Sequence, residues 1–178
     1  MMRDVLLVCT GVLFGIAAPI YYAKLKSDPW QQWQWRNSQT ELLLVYIGSP
    51  TCGPSNDPTL PEMLATARQQ LASLAAQQHI SFRAVGLAIS RNVRMGLDHL
   101  EKMGPFHEIA TGARWENLAF KHVQFVAPGL RATPQIVILE RRNHTTRLLL
   151  RRVGLRDIRQ WVHAGIPLPR LTPTASRK

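Results

Sequence analysis

Sulfur is scarce in this chain. Its 178 residues hold two cysteines, Cys9 and Cys52. Cys9 lies inside an N-terminal apolar run and Cys52 in the body, so the two are not placed to meet and no disulfide framework is expected. The count does not diagnose a compartment. The histidines, His79, His99, His107, His122, His144 and His163, are scattered, with no cysteine partner at zinc spacing, so no metal is expected. There is no glycine-rich phosphate loop, and neither paired catalytic carboxylates nor a Ser/His/Asp arrangement can be argued, so no cofactor is expected. Acidic residues are also few, 11 against 22 Lys and Arg. The deficit is local: residues 131–178 carry 2 acids and 11 bases, while residues 1–130 carry 9 and 11. Such a block could meet nucleic acid or anionic lipid. Without aromatic interleaving or a helix-turn-helix pattern it reads as a solvated basic strand face and tail, and nucleic acid is not an expected partner.

What the chain does contain begins with a long apolar run. An apolar content of 46% with 19% charged residues fits a globular body plus a membrane segment. Val5 to Ala23 has no charged residue and, as a helix, would span about 30 Å, enough for a bilayer core. Tyr21, Tyr22, Lys24 and Lys26 close it. Trp30, Trp33 and Trp35 follow, suited equally to a headgroup-level belt and to packing on the body. A cleaved signal peptide is the rival reading, with Gly15-Ile16-Ala17 as its small-residue site. The run continues past that site to Tyr22, which favours an uncleaved anchor. Val8 before Cys9 is too large for a lipoprotein signal. A count of flanking positive charges slightly favours a cytoplasmic body and leaves orientation open. The expected organisation is an anchor over 1–26, a polar and aromatic linker over 27–40, a domain over 41–166 and a flexible basic tail, rich in proline, over 167–178.

Within the domain, Leu42 to Ile47 is a continuous apolar run of strand length, as in a strand covered on both faces. Cys52-Gly53-Pro54-Ser55 follows as a turn. Leu60, Met63, Leu64, Ala67, Leu71, Leu74 and Ala75 then recur at helical spacing within Thr59–Gln78. Pro58 and Pro61 belong near the start of that helix, where a missing N–H costs little. Ser81 to Ile89 reads as a second strand. Val93, Leu97, Leu100 and Met103 mark a second helix, stopped by Gly104-Pro105. Phe106 to Val126 is harder to read: His107 to Ala110 suits a short strand and Trp115 to His122 a short helix. Thr133-Pro134 leads into a strand over Gln135–Glu140. Arg141 to Thr145 turns the chain, Arg147 to Val153 is a strand, and Gly154 precedes a short amphipathic helix with Leu155, Ile158, Trp161 and Val162. Strands alternating with helices imply parallel pairs, and the closing hairpin adds an antiparallel strand.

A cysteine between a strand and a helix is placed for thiol chemistry, because helix N-terminal N–H groups favour a thiolate. Cys52-Gly53-Pro54-Ser55 after a buried strand, Thr133-Pro134 before Gln135-Ile-Val-Ile-Leu139, and Val153-Gly154 before the last helix occur in an order that resembles the thioredoxin superfamily, over Glu41 to about His163. The resemblance implies an α/β, thioredoxin-like fold, a central mixed sheet flanked by helices, with an insertion at about 106–131. Together with an N-terminal transmembrane helix it is similar to membrane-anchored thiol-disulfide oxidoreductases of bacterial envelopes. That similarity implies a body outside the cytoplasm, on the periplasmic side, against the slight charge count. It also implies that Cys52 is the attacking cysteine, that Pro134 is a cis-proline beside it, and that Gly53, Pro54, Thr133 and Pro134 border the binding site for a thiol or disulfide partner, protein or small molecule.

The chain departs from that pattern at three places. Ser55 stands where the resolving cysteine is usual, Thr51 where tryptophan is frequent, and Tyr46, six residues before Cys52, where thioredoxins often carry a buried acid. With one sulfur, a thiolate can still attack a disulfide, but the mixed disulfide persists until an outside thiol arrives. Ser55 could donate a hydrogen bond to the thiolate, or be simply a first-turn helix residue. Two functions follow: monothiol thiol-disulfide exchange through Cys52, or a non-catalytic binding or assembly module using the groove beside Pro134. A peroxidase is disfavoured because Val45 occupies the position of the proline seven residues before the reactive cysteine. A glutaredoxin-like iron–sulfur carrier shares only Cys-x-x-Ser. Glu108 and Glu116 in the insertion are acids that could approach Cys52.

Overall fold

The computed structural model describes residues 40–142, 145–169 and 171. The expected anchor, its tyrosines and tryptophans, Cys9, His144 and most of the tail lie outside the described residues. Among the described residues no helix is long and apolar enough to cross a membrane.

The elements follow in the order β1 (Glu41–Gly48), α1 (Leu60–Gln77), β2 (Ser81–Ala88), α2 (Val93–Met103), β3 (Glu108–Thr111), α3 (Leu118–Val126), β4 (Gln135–Arg142), β5 (Thr145–Val153) and α4 (Leu155–His163). Four-residue and three-residue 3-10 turns occupy Gly53–Asn56 and Arg114–Glu116. The five strands form one sheet in the order β3-β2-β1-β4-β5. β1 runs parallel to β2, and β2 to β3; β1 and β4, and β4 and β5, are antiparallel.

β1 is buried along its whole length because both of its faces are covered. Leu42, Leu44 and Tyr46 meet the apolar stripes of α1, α2 and α4, represented by Leu64, Leu100 and Trp161. Leu43, Val45 and Ile47 point the other way, against Phe120 and Val123 of α3 and Val137 of β4. The side-chain period of two thus explains why an unbroken apolar run is a strand here.

The insertion differs in detail from the sequence reading. Its strand is Glu108–Thr111, an edge strand beyond β2, and its helix begins at Leu118, not Trp115. Asn117 sets that start, since its side chain accepts from the N–H groups of Ala119 and Phe120 at 3.0 and 3.4 Å. Packing also continues past residue 166: Trp161 Nε1 donates to the Pro167 carbonyl at 3.1 Å, and Leu168 and Leu171 lie on the core.

Two ion-pair groups hold the sheet at the end of β1 away from Cys52. Buried Glu41 takes Arg83 of β2 at 2.9 Å and also pairs with Arg141 of β4. Buried Glu140 takes Arg147 of β5 at 2.7 Å. Part of the basic C-terminal excess therefore serves the sheet.

Candidate functional site

Cys52 lies four residues beyond the carboxyl end of β1, half-buried, with φ −97° and ψ 118°. Its N–H donates to the Ser49 carbonyl at 3.2 Å, and its carbonyl accepts from Ser55 N at 3.0 Å. The turn is tied further by Asn56, whose side-chain amide donates to the Cys52 carbonyl at 2.8 Å and the Pro50 carbonyl at 3.0 Å. The element after Cys52 is the 3-10 turn Gly53–Asn56, and α1 starts only at Leu60. Cys52 thus caps the 3-10 turn, and the long helix begins where the apolar spacing within Thr59–Gln78 puts it. Pro58 lies between the two elements and Pro61 in the first turn of α1. Ser55 sits in the first turn of this 3-10 element, wholly buried. Without a long helix behind it, the thiol depends on individual donors for its chemistry.

The opposite wall comes from the segment before β4. The Thr133–Pro134 peptide bond is cis, and the Cys52 thiol donates to the Thr133 carbonyl at 3.2 Å. Cys52, Ser55, Thr133 and Pro134 are therefore drawn to one place from segments some eighty residues apart. Two supports hold that segment. Gly154 N donates to the Pro134 carbonyl at 2.8 Å; its φ of +83° is a conformation that favours glycine. Fully buried Gln135 donates to the Leu130 carbonyl at 2.8 Å and also to the Ala132 carbonyl, and accepts from Arg151 at 2.8 Å. A second cis bond, Gly104–Pro105, follows α2, where the sequence indicated only a helix stop.

The Cys52 thiol is subject to opposing influences. Burial acts to raise its pKa; the side chains of Thr133 and Ser55 and the Ser55 N–H act to lower it, and the net direction is down. The S–H bond to the Thr133 carbonyl belongs to the protonated form, since a thiolate has no hydrogen to give that oxygen. The buried Ser55 hydroxyl makes no hydrogen bond of ordinary geometry, although it lies near enough to act on both Cys52 and Tyr46.

Tyr46 is wholly buried beneath this turn. Its hydroxyl is 3.0 Å from His99 Nε2, and its ring stacks on Phe106 with centroids 6.0 Å apart and planes 4° from parallel. Burial drives the Tyr46 hydroxyl far above the ordinary tyrosine range, so it stays protonated. Burial, and then the Lys102 ammonium, push His99 down to about 4, so it is neutral at pH 7. The sequence reading missed His99 as a member of this site. The available signal was its place at helical register with Leu100 and Met103 on the buried face of α2.

The other singled-out residues go elsewhere. Gly53 has open space around its Cα, and Thr51 is exposed, its hydroxyl 3.2 Å from Ser49 Oγ. Glu108 pairs with Arg83, and Glu116 lies 2.6 Å from Lys121. Both acids are thus engaged with cations. Among the described residues no cluster of three or more His, Cys, Asp or Glu side chains could hold a metal.

The strand order, the cysteine after β1 and the X-Pro segment facing it before β4 define a thioredoxin-like α/β domain. Among solved structures the chain is similar to a protein assigned as thiol:disulfide interchange protein DsbE from Chlorobium tepidum, at 14% identity, covering 75% of this chain and 85% of that one, with a TM-score of 0.43. It is similar also to a DsbF homologue from Corynebacterium diphtheriae, at 13% identity, 70% and 71% coverage and a TM-score of 0.43. Copper-bound ScoI from Arabidopsis thaliana is a third, at 13% identity, 74% and 85% coverage and a TM-score of 0.44. No family model and no curated protein matches the chain.

Proposed function

We propose that this protein carries out monothiol thiol-disulfide exchange through Cys52, held to a membrane by residues 5–23 with its body on the extracytoplasmic side. The observation that carries the reading is a half-exposed thiol with a lowered pKa, set against the Thr133 carbonyl and backed by a serine where a second sulfur would stand. The Cys52 thiolate attacks one sulfur of a disulfide R–S–S–R′. The Cys52–S–S–R bond forms as the S–S bond breaks, and R′–S⁻ leaves and takes a proton from solvent. Ser55 cannot expel R. A second thiol, protein or small molecule, must attack the mixed disulfide to regenerate Cys52. Gly53, Pro54, Thr133 and Pro134 border the sulfur and would contact the partner.

Incubation of the full chain with oxidised glutathione, followed by intact-mass measurement, tests the exchange. The expected product is a single adduct on Cys52, absent from Cys52→Ala and released by excess thiol. Failure of the wild-type chain to take any disulfide adduct refutes the exchange. Unchanged cellular function of Cys52→Ala would instead favour a binding or assembly module using the groove beside Pro134. Alkaline extraction of membranes tests the tether: recovery of the intact chain in the soluble fraction would count against it.

A further inference from the structure

The Tyr46–His99 pair has no role in the exchange step itself, yet the surrounding structure is arranged to keep it. A Cβ at residue 48 would stand 2.1 Å from the Tyr46 hydroxyl oxygen and 2.5 Å from His99 Nε2, so only glycine leaves the pair its space. Phe106 covers the Tyr46 ring and lies over Gly86, where a Cβ would stand 2.7 Å from the ring. Two buried polar atoms at the pair have no hydrogen-bond partner: Ser55 Oγ, which acts on both Tyr46 and Cys52, and His99 Nδ1.

These unpartnered atoms set the direction of the hydrogen bonds. A buried N–H with no acceptor is costlier than a bare ring nitrogen, so the His99 proton belongs on Nε2, where it donates to the Tyr46 oxygen. The Tyr46 hydrogen is then free, and Ser55 Oγ is an unused acceptor. Ser55 in turn has its own hydrogen to give. While Cys52 is a thiol, it donates to the Thr133 carbonyl. Once ionised, it becomes an acceptor on the Ser55 side. We propose that His99, Tyr46 and Ser55 form a one-way chain of donors that closes on the Cys52 sulfur when it ionises, making Tyr46 and His99 positioning residues for the thiolate. This rests on the reading of Cys52 as the exchanging thiol. Two cationic groups lie near the chain. Lys102 lies three residues along α2 from His99. Arg68 of α1 donates to the Met103 and Gly104 carbonyls at 2.8 and 2.7 Å, with its guanidinium carbon 5.7 Å from the Phe106 ring centroid.

The test is the rate of Cys52 alkylation by iodoacetamide against pH, in the full chain with Cys9→Ser so that one thiol is read. Tyr46→Phe, which keeps the stacked ring, and Ser55→Ala should each raise the midpoint, lowering the rate on the acid side about three- to tenfold, the span of one ordinary hydrogen bond. The double variant should be no slower than the slower single variant, because both changes break the same chain. His99→Gln retains an N–H for Tyr46 and should stay near wild type, whereas His99→Leu should follow Tyr46→Phe. Superposition of the Tyr46→Phe and wild-type profiles overturns the chain, as do additive shifts in the double variant. The glutathione adduct is a separate readout. A chain showing the alkylation pattern but taking no adduct retains the donor chain and loses the exchange function; the converse retains exchange and loses the chain.

Discussion

Acidification should weaken the fold through His99, and the effect is large enough to isolate. The ring is 3% exposed, its Nδ1 has no partner, and burial followed by the Lys102 charge holds its pKa at about 4 against 6.5 for a free imidazole. In the unfolded chain the ring binds a proton as pH falls through 6.5, while in the folded chain it does not until about 4. Between these values the unfolded state carries more protons, so stability falls as pH falls; the loss is complete near pH 4 and absent above about 7. At about 1.4 kcal/mol per pKa unit the loss is at most roughly 3–4 kcal/mol, and about half of that with generous solvent screening. Either figure is a sizeable part of the roughly 5–15 kcal/mol typical of a domain. Urea unfolding of wild type and His99→Gln at pH 7, 6, 5 and 4.5 measures it. The variant keeps a donor for Tyr46 and has no titrating ring, so the difference between the two should shrink or change sign as pH falls, by about 1.5–3 kcal/mol in all. Parallel stability-against-pH curves would refute the reasoning.

Three further outcomes are expected. Gly48→Ala forces a methyl into the Tyr46–His99 contact and should cost about 1–3 kcal/mol in chemical denaturation, while raising the Cys52 alkylation midpoint. Glu41→Ala leaves Arg83 and Arg141 without their shared buried carboxylate; a loss of about 3 kcal/mol is expected, and a loss below about 0.5 kcal/mol would mean that the pairs add nothing. Arg68→Ala removes two bonds to the carbonyls that end α2 and the cation over Phe106. Thermal denaturation should register about 2 kcal/mol, with faster hydrogen exchange in the last turn of α2.

The readable parts of the sequence were those where one residue type carries one physical meaning. Leu42–Ile47 reads as a covered strand because both faces of β1 are packed. The helical spacing of Leu60 to Ala75 reads as α1 because one stripe is buried. The Cys52 turn and Thr133–Pro134 could be set opposite each other only through their order along a resembling chain. The turn at Cys52 was legible as a turn, but its closing into a 3-10 element was not, because Gly53-Pro54-Ser55-Asn56 carries no apolar spacing to mark it. His99 was hidden for another reason. A histidine among apolar residues of a helix gives no sign of its partner, and Tyr46 lies 53 positions away. Gly48 carries its information in a missing atom, visible only once Tyr46 and His99 are placed beside it. The start of α3 turned on the Asn117 side chain, a local cap that the apolar pattern around Trp115 obscured.

β1 has a mechanical consequence. It begins at Glu41, directly after the segment that precedes the domain, and its eight residues end at Gly48, just short of Cys52. A partner held on Cys52 and a pull on the chain ahead of residue 40 would therefore act on the two ends of one central strand, about 26 Å long. The load would pass along the covalent backbone of β1, with neighbouring strands on both sides and the Glu41 ion pairs at the entry point. Where the proposed tether and mixed disulfide both form, tension between them would run along β1 and need not cross any other element of the domain.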